Sequence, residues 1–373
     1  MKISAHLEKL SCLLLGFLVI ENGVINHLLG EVTSEGLALF VTLLYLANKL
    51  KYEVYKSLLN LAFLIFCFII FNLILIIFSD EWTRALFIYP YIFIFFLILL
   101  PIYKRDNGLD NSNLVKVLTV FACISSFYAI AQRVGFETML PLEGELRATG
   151  LSRSSLNLTG CLLAIFGMGI LVAKDDYVKL MSQSIIFLGI LAAGGRGGII
   201  SALILLIVTY INKFKQKNFA FITCILSVLI MVFFGDWFFR AFSALNFTND
   251  QSNLDRIGSY AEFFKQFKFF GGGIGTTSSA ALRFHNATGF ESSFLNAIYE
   301  IGVPFSTLFL ILFIAWCKNL NRNSKILIYK FTFSLLPVIA GQQLYGIPSA
   351  FCTLILAIFV LASYREPITL WEV

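Results

Sequence analysis

Charge is scarce in this sequence. Only 13% of its 373 residues are Asp, Glu, Lys or Arg, against about 25% in soluble globular domains. That scarcity excludes a chain that shows most of its surface to water. Its seven cysteines all fall in or at the ends of apolar runs, and none has CxxC spacing. A disulfide framework and a zinc site are therefore unsupported, and the cysteines read as small apolar residues. The polar loops contain no DxD pair, no nucleotide-sugar motif and no paired histidines. No internal repeat, low-complexity linker or soluble domain is evident, and no Walker lysine follows the one glycine cluster. The first apolar run lacks an A-x-A cleavage site, so it reads as a retained helix.

What the chain has instead is apolar length. Hydrophobic residues make up 58% of it, and the mean hydropathy is +0.83. Runs of roughly 17–25 apolar residues suffice to cross a bilayer as helices. About twelve such runs are present by that criterion: 10–29, 35–50, 58–79, 84–103, 114–134, 156–173, 180–194, 197–212, 218–236, 291–316, 326–343 and 347–364. Membrane barrel strands would alternate in polarity, which these runs do not. The expected fold is all-α: a single integral membrane domain over 1–373, built as a polytopic helical bundle.

The net charge of +6 matters less than its distribution. Lysines recur in every second short loop, and the positive-inside rule then places both termini in the cytoplasm. On the predicted outer side eight of ten basic residues are arginine: Arg84, Arg133, Arg147, Arg153, Arg196, Arg240, Arg256 and Arg283. On the inner side fifteen of eighteen are lysine. Arginine's planar fork grips phosphate bidentately and keeps its charge, whereas lysine is a solvated point charge. An external arginine set points to a bound phosphate or diphosphate; for any single arginine, headgroup anchoring is the competing explanation.

Three outer loops carry the candidates. One holds Arg133, Arg147 and Arg153 and ends in Ser152, Ser154 and Ser155, any of which would cap the next helix. A second places Arg196 among four glycines in GGRGG. Those glycines serve either a tight turn or close approach to a ligand. The third is the large loop 237–290. Within it, residues 254–270 place Ile257, Tyr260, Ala261, Phe264 and Phe267 at helical spacing, opposite Arg256, Glu262, Lys265 and Gln266. That pattern predicts an amphipathic helix lying at the interface. Gly271–Gly275 (GGGIG) breaks it, and His285 and Glu291 follow, six residues apart. Ionisable groups near a bilayer are costly, so their concentration in Leu254–Gly302 marks it as functional.

The order LRATGLSRSSLN, GGRGG, DRIGSYAEFF…FFGGGIG and ESSFLNAIYEIG resembles the O-antigen ligase/polymerase family of bacterial membrane glycosyltransferases. The resemblance covers Arg147–Gly302; the first five spans match only as generic hydrophobic helices. It implies an architecture similar to the C-type glycosyltransferases and an active site on the outer face of the cytoplasmic membrane. It implies undecaprenyl-diphosphate-linked glycans as substrates, no cofactor and no metal, and a chain-length regulator and a flippase as partners beside the lipid bilayer. Nothing points to nucleic acid. Glu291-Ser292-Ser293-Phe294-Leu295, then Glu300-Ile301-Gly302, stands where ligases of the family carry HNxxL and a glutamate-glycine pair. Glu291-Ser292 resembles the polymerase branch, and His285-Asn286 six residues earlier keeps the ligase alternative open. On this reading Glu291 takes the proton of the attacking sugar hydroxyl, with His285 as alternative base or substrate ligand. Arg147, Arg196 and Arg256, with Arg153 as a fourth, hold the diphosphate. A flippase of lipid-linked sugars is the third possibility; it would place charges inside the spans and often repeat its halves.

Overall fold

The computed structural model describes residues 2–29, 31–49, 111–136, 147–152, 154–174, 176–210, 251–277, 292–341 and 348–364, together with isolated positions 63, 66, 67, 69, 70, 74, 90–92, 138, 140, 290, 368 and 370. These residues form helices and loops, with no strand among them, only isolated bridge residues such as the pair Ala173 and Ile368. The helices are α1 (Lys2–Ile20), α2 (Asn22–Leu29), α3 (Glu31–Lys49), α4 (Ser112–Val134), α5 (Ser155–Val172), α6 (Tyr177–Ala193), α7 (Arg196–Tyr210), α8 (Gln251–Lys265), α9 (Ser293–Asn319), α10 (Arg322–Gly341) and α11 (Pro348–Ala362). Expected spans 58–79, 84–103 and 218–236 lie largely or wholly outside the described residues. Each of the others coincides with a helix, except that the first is two helices bent by 79° at Glu21.

Length and composition qualify three helices to cross a membrane: α4, α5 and the apolar part of α9, Ser293–Lys318. The bent pair α1–α2 makes a fourth if it counts as one span. Segments of α3, α6, α7 and α11 are apolar but shorter. About twelve spans was the expectation; the described residues support the helical, apolar character and three or four spans of full length.

The core is built around α5. Almost every residue of α5 is buried, from Ser155 to Val172, because α4, α6, α7 and α11 all pack on it. Such a helix shows no amphipathic stripe, as expected of one apolar on every side. It starts where the sequence said a serine would cap it: Ser154 accepts the N–H of Asn157 at 3.2 Å. Near that start a buried polar knot ties α2, α3, α5 and α11. Asn22 Nδ2 donates to Glu35 Oε1 (2.9 Å) and to Ser349 Oγ (2.7 Å), and Asn157 Nδ2 donates to Asn22 Oδ1 (2.9 Å). The Ser349 N–H donates to Glu35 Oε2 at 3.0 Å, so this carboxylate caps the start of α11.

The helix termini sort into two ends. At one, Ser152 Oγ donates to Ile20 O (2.7 Å), Ala148 N to Ala192 O (3.2 Å), and Gln132 Nε2 to Thr149 Oγ1 (3.2 Å). At the other, Asn111 Nδ2 donates to Ser363 Oγ (2.7 Å), Lys174 N to Ile368 O (2.8 Å) and Ser324 Oγ to Tyr364 O (3.2 Å). Arg133, Arg147 and Arg196 lie at the first end. Lys174, Lys179, Lys318 and Lys325 lie at the second, with Arg322.

Candidate functional site

The first end gathers the arginines by backbone construction. Helix α4 stops at Gly135, whose φ of 93° is the left-handed cap, and this leaves Arg133 in its last turn. The adjoining Gln132 side chain holds the returning chain: its amide oxygen accepts from Gly150 N at 2.9 Å and its nitrogen donates to Leu140 O. Arg147 comes next to Ala148, whose N–H is bonded to Ala192 at the end of α6. A left-handed Gly194 (φ 69°) then turns the chain so that Arg196 is the first residue of α7. Arg133, Arg147 and Arg196 are thus carried on segments hydrogen-bonded side by side, and all three are partly buried. Of the two uses open to the flanking glycines, the tight turn is found at Gly194, and Gly195 and Gly198 serve a third, helix packing. A Cβ on Gly195 would sit 2.7 Å from Thr159 Oγ1, and one on Gly198 would sit 2.1 Å from Thr159 Cγ2. These glycines let α7 lie against α5.

Helix α8 reaches the same end through Tyr260, whose hydroxyl donates to Ala340 O at 3.2 Å. It ends at Lys265, five residues before the expected limit of 270. The chain past it is committed to a turn, with Gly271 N donating to Lys268 O. Ile257, Tyr260 and Phe264 form an exposed stripe, continued by Phe267 and Phe270 in the turn. Phe263 turns inward instead and packs edge-on against Phe290, which stacks in turn on Tyr299 of α9. Apart from the Tyr260 bond and the edges that Phe264 and Phe267 share with Phe263, the apolar stripe read from the sequence is exposed among the described residues, and it remains available to a lipid interface. Arg256 belongs to α8, but its side chain lies outside the described residues, as do Arg153, His285 and Glu291. The cap of α9 is Ser292, whose Oγ accepts from Leu295 N at 3.4 Å.

The glycine cluster closes onto a break in α9. Gly302 there has φ 76° and ψ 169°, and Pro304 has no N–H to offer the Glu300 carbonyl four residues back. Val303 N turns away to Phe269 O (2.9 Å). The carbonyls of Tyr299 and Glu300 thereby lose their helical donors. Gly272 N and Gly273 N replace them at 2.6 and 2.9 Å. The Glu300 side chain completes the junction. Its Oε1 accepts from Thr277 Oγ1 (2.7 Å) and Thr277 N (3.2 Å), its Oε2 from Tyr91 OH (3.2 Å), and the Gly275 N–H also donates to it. A buried carboxylate with that many donors is satisfied.

Two residues of this junction were not singled out as functional in the sequence: Glu300, which served only to set the register of the EIG motif, and Asn296. Asn296 is fully buried. Its Oδ1 accepts from Phe290 N (3.0 Å) and its Nδ2 donates to Phe290 O (2.6 Å). The available signal was spacing, since Asn296 and Glu300 stand four residues apart in an otherwise apolar run. Among the described residues no group of three His, Cys, Asp or Glu side chains is placed to hold a metal.

These features define an all-helical protein with helices fit to span a membrane, arginines gathered at one end and a glycine-rich junction beside them. No protein-family model matches the sequence, and a search of curated proteins likewise finds no match.

Proposed function

We propose that this protein is a metal-independent membrane glycosyltransferase that joins undecaprenyl-diphosphate-linked oligosaccharide units into O-antigen or a similar surface polysaccharide. The observation that carries the reading is the grouping of cations, with Arg133, Arg147 and Arg196 on hydrogen-bonded segments at one end, which α8 and the turn after it also reach with Lys265 and Lys268, and Lys174, Lys179, Lys318 and Lys325 with Arg322 at the other. In this proposal the arginine end faces outward from the cytoplasmic membrane, both termini face the cytoplasm, and about twelve spans hold the site in place. A sugar hydroxyl of the incoming lipid-linked unit attacks the anomeric carbon of the growing chain. The diphosphate leaves with the bonding electrons and is stabilised by Arg147, Arg196 and Arg256, with Arg153 beside them. Glu291 takes the hydroxyl proton, and His285 serves as base or substrate ligand.

The test is genetic and biochemical. In a strain lacking the gene, lipopolysaccharide reduced to a single core-plus-one-unit band supports the polymerase. Complete loss of attached units would transfer the assignment to a ligase, and lipid-linked units trapped on the inner face would indicate a flippase. Arg147→Lys and Arg196→Lys keep charge and lose the bidentate fork. Each should lower activity roughly ten- to a hundredfold, the equivalent of about 1.5–3 kcal/mol for a charge-assisted contact. Full activity in both at normal expression would reduce these arginines to membrane anchors.

A further inference from the structure

Two helices serve as rulers for depth in the membrane. At the second end, the polar turn 319–323 follows Lys318, which closes the apolar part of α9. The stretch 303–318 is sixteen residues of unbroken helix, about 24 Å long at a rise of about 1.5 Å per residue. A hydrocarbon core is about 30 Å thick, and any tilt of the helix shortens its reach across it. The break at Gly302 therefore falls short of the far boundary, within the leaflet at the arginine end. Helix α10 gives a similar level. Ala340, whose carbonyl accepts the Tyr260 hydroxyl of α8, is eighteen residues beyond Arg322, about 27 Å along the helix. Helix α8 thus meets the bundle near the hydrocarbon boundary, and the chain past it descends to the break.

Three backbone bonds fix that chain at the depth of the break: Val303 N to Phe269 O, Gly272 N to Tyr299 O and Gly273 N to Glu300 O. At the same level Phe267, Phe269 and Phe270 are 43%, 54% and 78% exposed, a group of bare aromatic rings that has no place in water. The backbone fits the same setting. Between 271 and 277 the N–H groups of Gly271, Gly272, Gly273, Gly275, Thr276 and Thr277 are all bonded within the protein. Irregular backbone survives at membrane depth only when its polar groups are paired in this way, whereas a loop in water has no such need. We propose that residues 266–277 form a re-entrant turn inside the leaflet at the arginine end, with Phe267, Phe269 and Phe270 against lipid acyl chains. Lys268 is long enough to carry its ammonium from that depth to the headgroup phosphates. Part of the large loop 237–290 thereby belongs to the membrane domain. The proposal needs α9 and α10 to cross a bilayer and needs no catalytic activity. Under the proposed function it also puts the glycine junction in the layer where the tail of a lipid-linked substrate runs.

Spin labels on the full-length protein in phospholipid vesicles read depth from two collision partners: oxygen, which enters hydrocarbon, and a nickel chelate, which stays in water. The label is placed at Phe270→Cys in a background with the seven native cysteines replaced by alanine. Leu310→Cys, on the exposed face in the middle of α9, marks lipid, and Asn323→Cys, exposed at the start of α10, marks water. The oxygen-to-nickel collision ratio at 270 should resemble that at 310 and exceed that at 323 by about tenfold or more, because hydrocarbon excludes polar solutes. A ratio at 270 equal to that at 323 would overturn the proposal. So would a label that neither reagent reaches, since a second copy or another protein would then cover the turn. Phe270→Trp in the chain with its native cysteines serves if the cysteine-free protein fails to fold. The emission it adds over the unsubstituted protein should be quenched by phospholipids brominated on their acyl chains and not by aqueous iodide; the opposite pattern would overturn the re-entrant turn. A protein without polymerising activity whose label still lies in lipid would remove the proposed function and leave this inference standing.

Discussion

Substituting Gly302 by alanine isolates the break in α9 from everything else in the molecule. The residue sits at φ 76° and ψ 169°, a region essentially restricted to glycine, where a side chain costs about 1–3 kcal/mol. Space is also lacking, because a Cβ there would lie 2.4 Å from Phe270 C, 2.6 Å from Phe269 O and 2.7 Å from Gly271 N. All three are backbone atoms, so no rotamer change relieves the overlap. The alternative is to open the junction, which forfeits the bonds Gly272–Tyr299, Gly273–Glu300 and Val303–Phe269, each contributing about 0.5–1.5 kcal/mol. Regular helix through this point is not a free escape, since Pro304 would leave the Glu300 carbonyl without a donor. Either route costs about 2–4 kcal/mol, equivalent to a fall in melting temperature of about 3–6 °C. In a background with exposed Cys67, half-buried Cys123 and Cys224 replaced by alanine, a thiol-reactive fluorophore provides the assay, because Cys12, Cys161, Cys317 and Cys352 are buried and react only as the bundle opens. Gly258→Ala is the internal control: its Cβ would meet nothing within 4 Å in α8, and alanine there should stabilise by about 0.5–1 kcal/mol. Gly302→Ala melting at the wild-type temperature or above would show that the break is not needed.

Two further substitutions probe the arginine end. Asn157→Ala removes the donor to Asn22 Oδ1 and an acceptor of the Ser349 hydroxyl; a loss of about 2–4 kcal/mol is expected from the lost hydrogen bonds and the cavity, and an unchanged melt would show that the knot contributes nothing. Glu21 stands at the bend between α1 and α2, 2% exposed, with neither carboxyl oxygen hydrogen-bonded to any described residue. Glu21→Met should therefore raise stability by about 1–3 kcal/mol; a lower melting temperature would mean that the carboxyl has a partner in the membrane-embedded protein.

The apolar helices were legible in the sequence because burial in lipid and burial in protein demand the same residues. For that reason their packing was not. Nothing in the hydropathy of α5 distinguishes it from α4, yet α5 is enclosed on every side and α4 leaves Ile124 and Phe127 exposed. The cap at Ser154 and the turn at Gly194 were readable because each is a local requirement of backbone geometry. The bend at Glu21 was not, because its cause is long-range, with Ser152 bonding to the Ile20 carbonyl from far along the chain. The α8 stripe was correctly read as apolar, but only contact with α9 reveals that Phe263, one residue off that stripe, faces the protein. Arg147 and Arg196 read as independent loop residues until the Ala148–Ala192 bond joined their segments.

The glycine cluster shows how the same residues support opposite conclusions before and after their donors are counted. In sequence, a glycine cluster such as GGGIG is compatible with backbone N–H groups turned toward a phosphate, although no Walker lysine follows it. A phosphate nest needs those N–H groups unoccupied until the ligand arrives. Here Gly271 donates to Lys268, Gly272 to Tyr299, Gly273 to Glu300 O, Thr276 to Gly273, and Gly275 and Thr277 to the Glu300 carboxylate. The anion in this nest is the chain's own side chain. The cluster therefore has no spare donors at these positions for a phosphate, and under the proposed function the charge of a lipid diphosphate is left to the arginines, whose guanidinium groups each bring five N–H donors. On that proposal the arginines bind the substrate, and the N–H groups of the glycine segment serve Glu300 and the α9 carbonyls. It predicts that Arg196→Lys raises the KM for lipid-linked units or lowers kcat through the leaving group, while leaving amide hydrogen exchange at Gly275 and Thr277 untouched. Faster exchange at those two amides in the Arg196→Lys protein would show that the two sets are one coupled site.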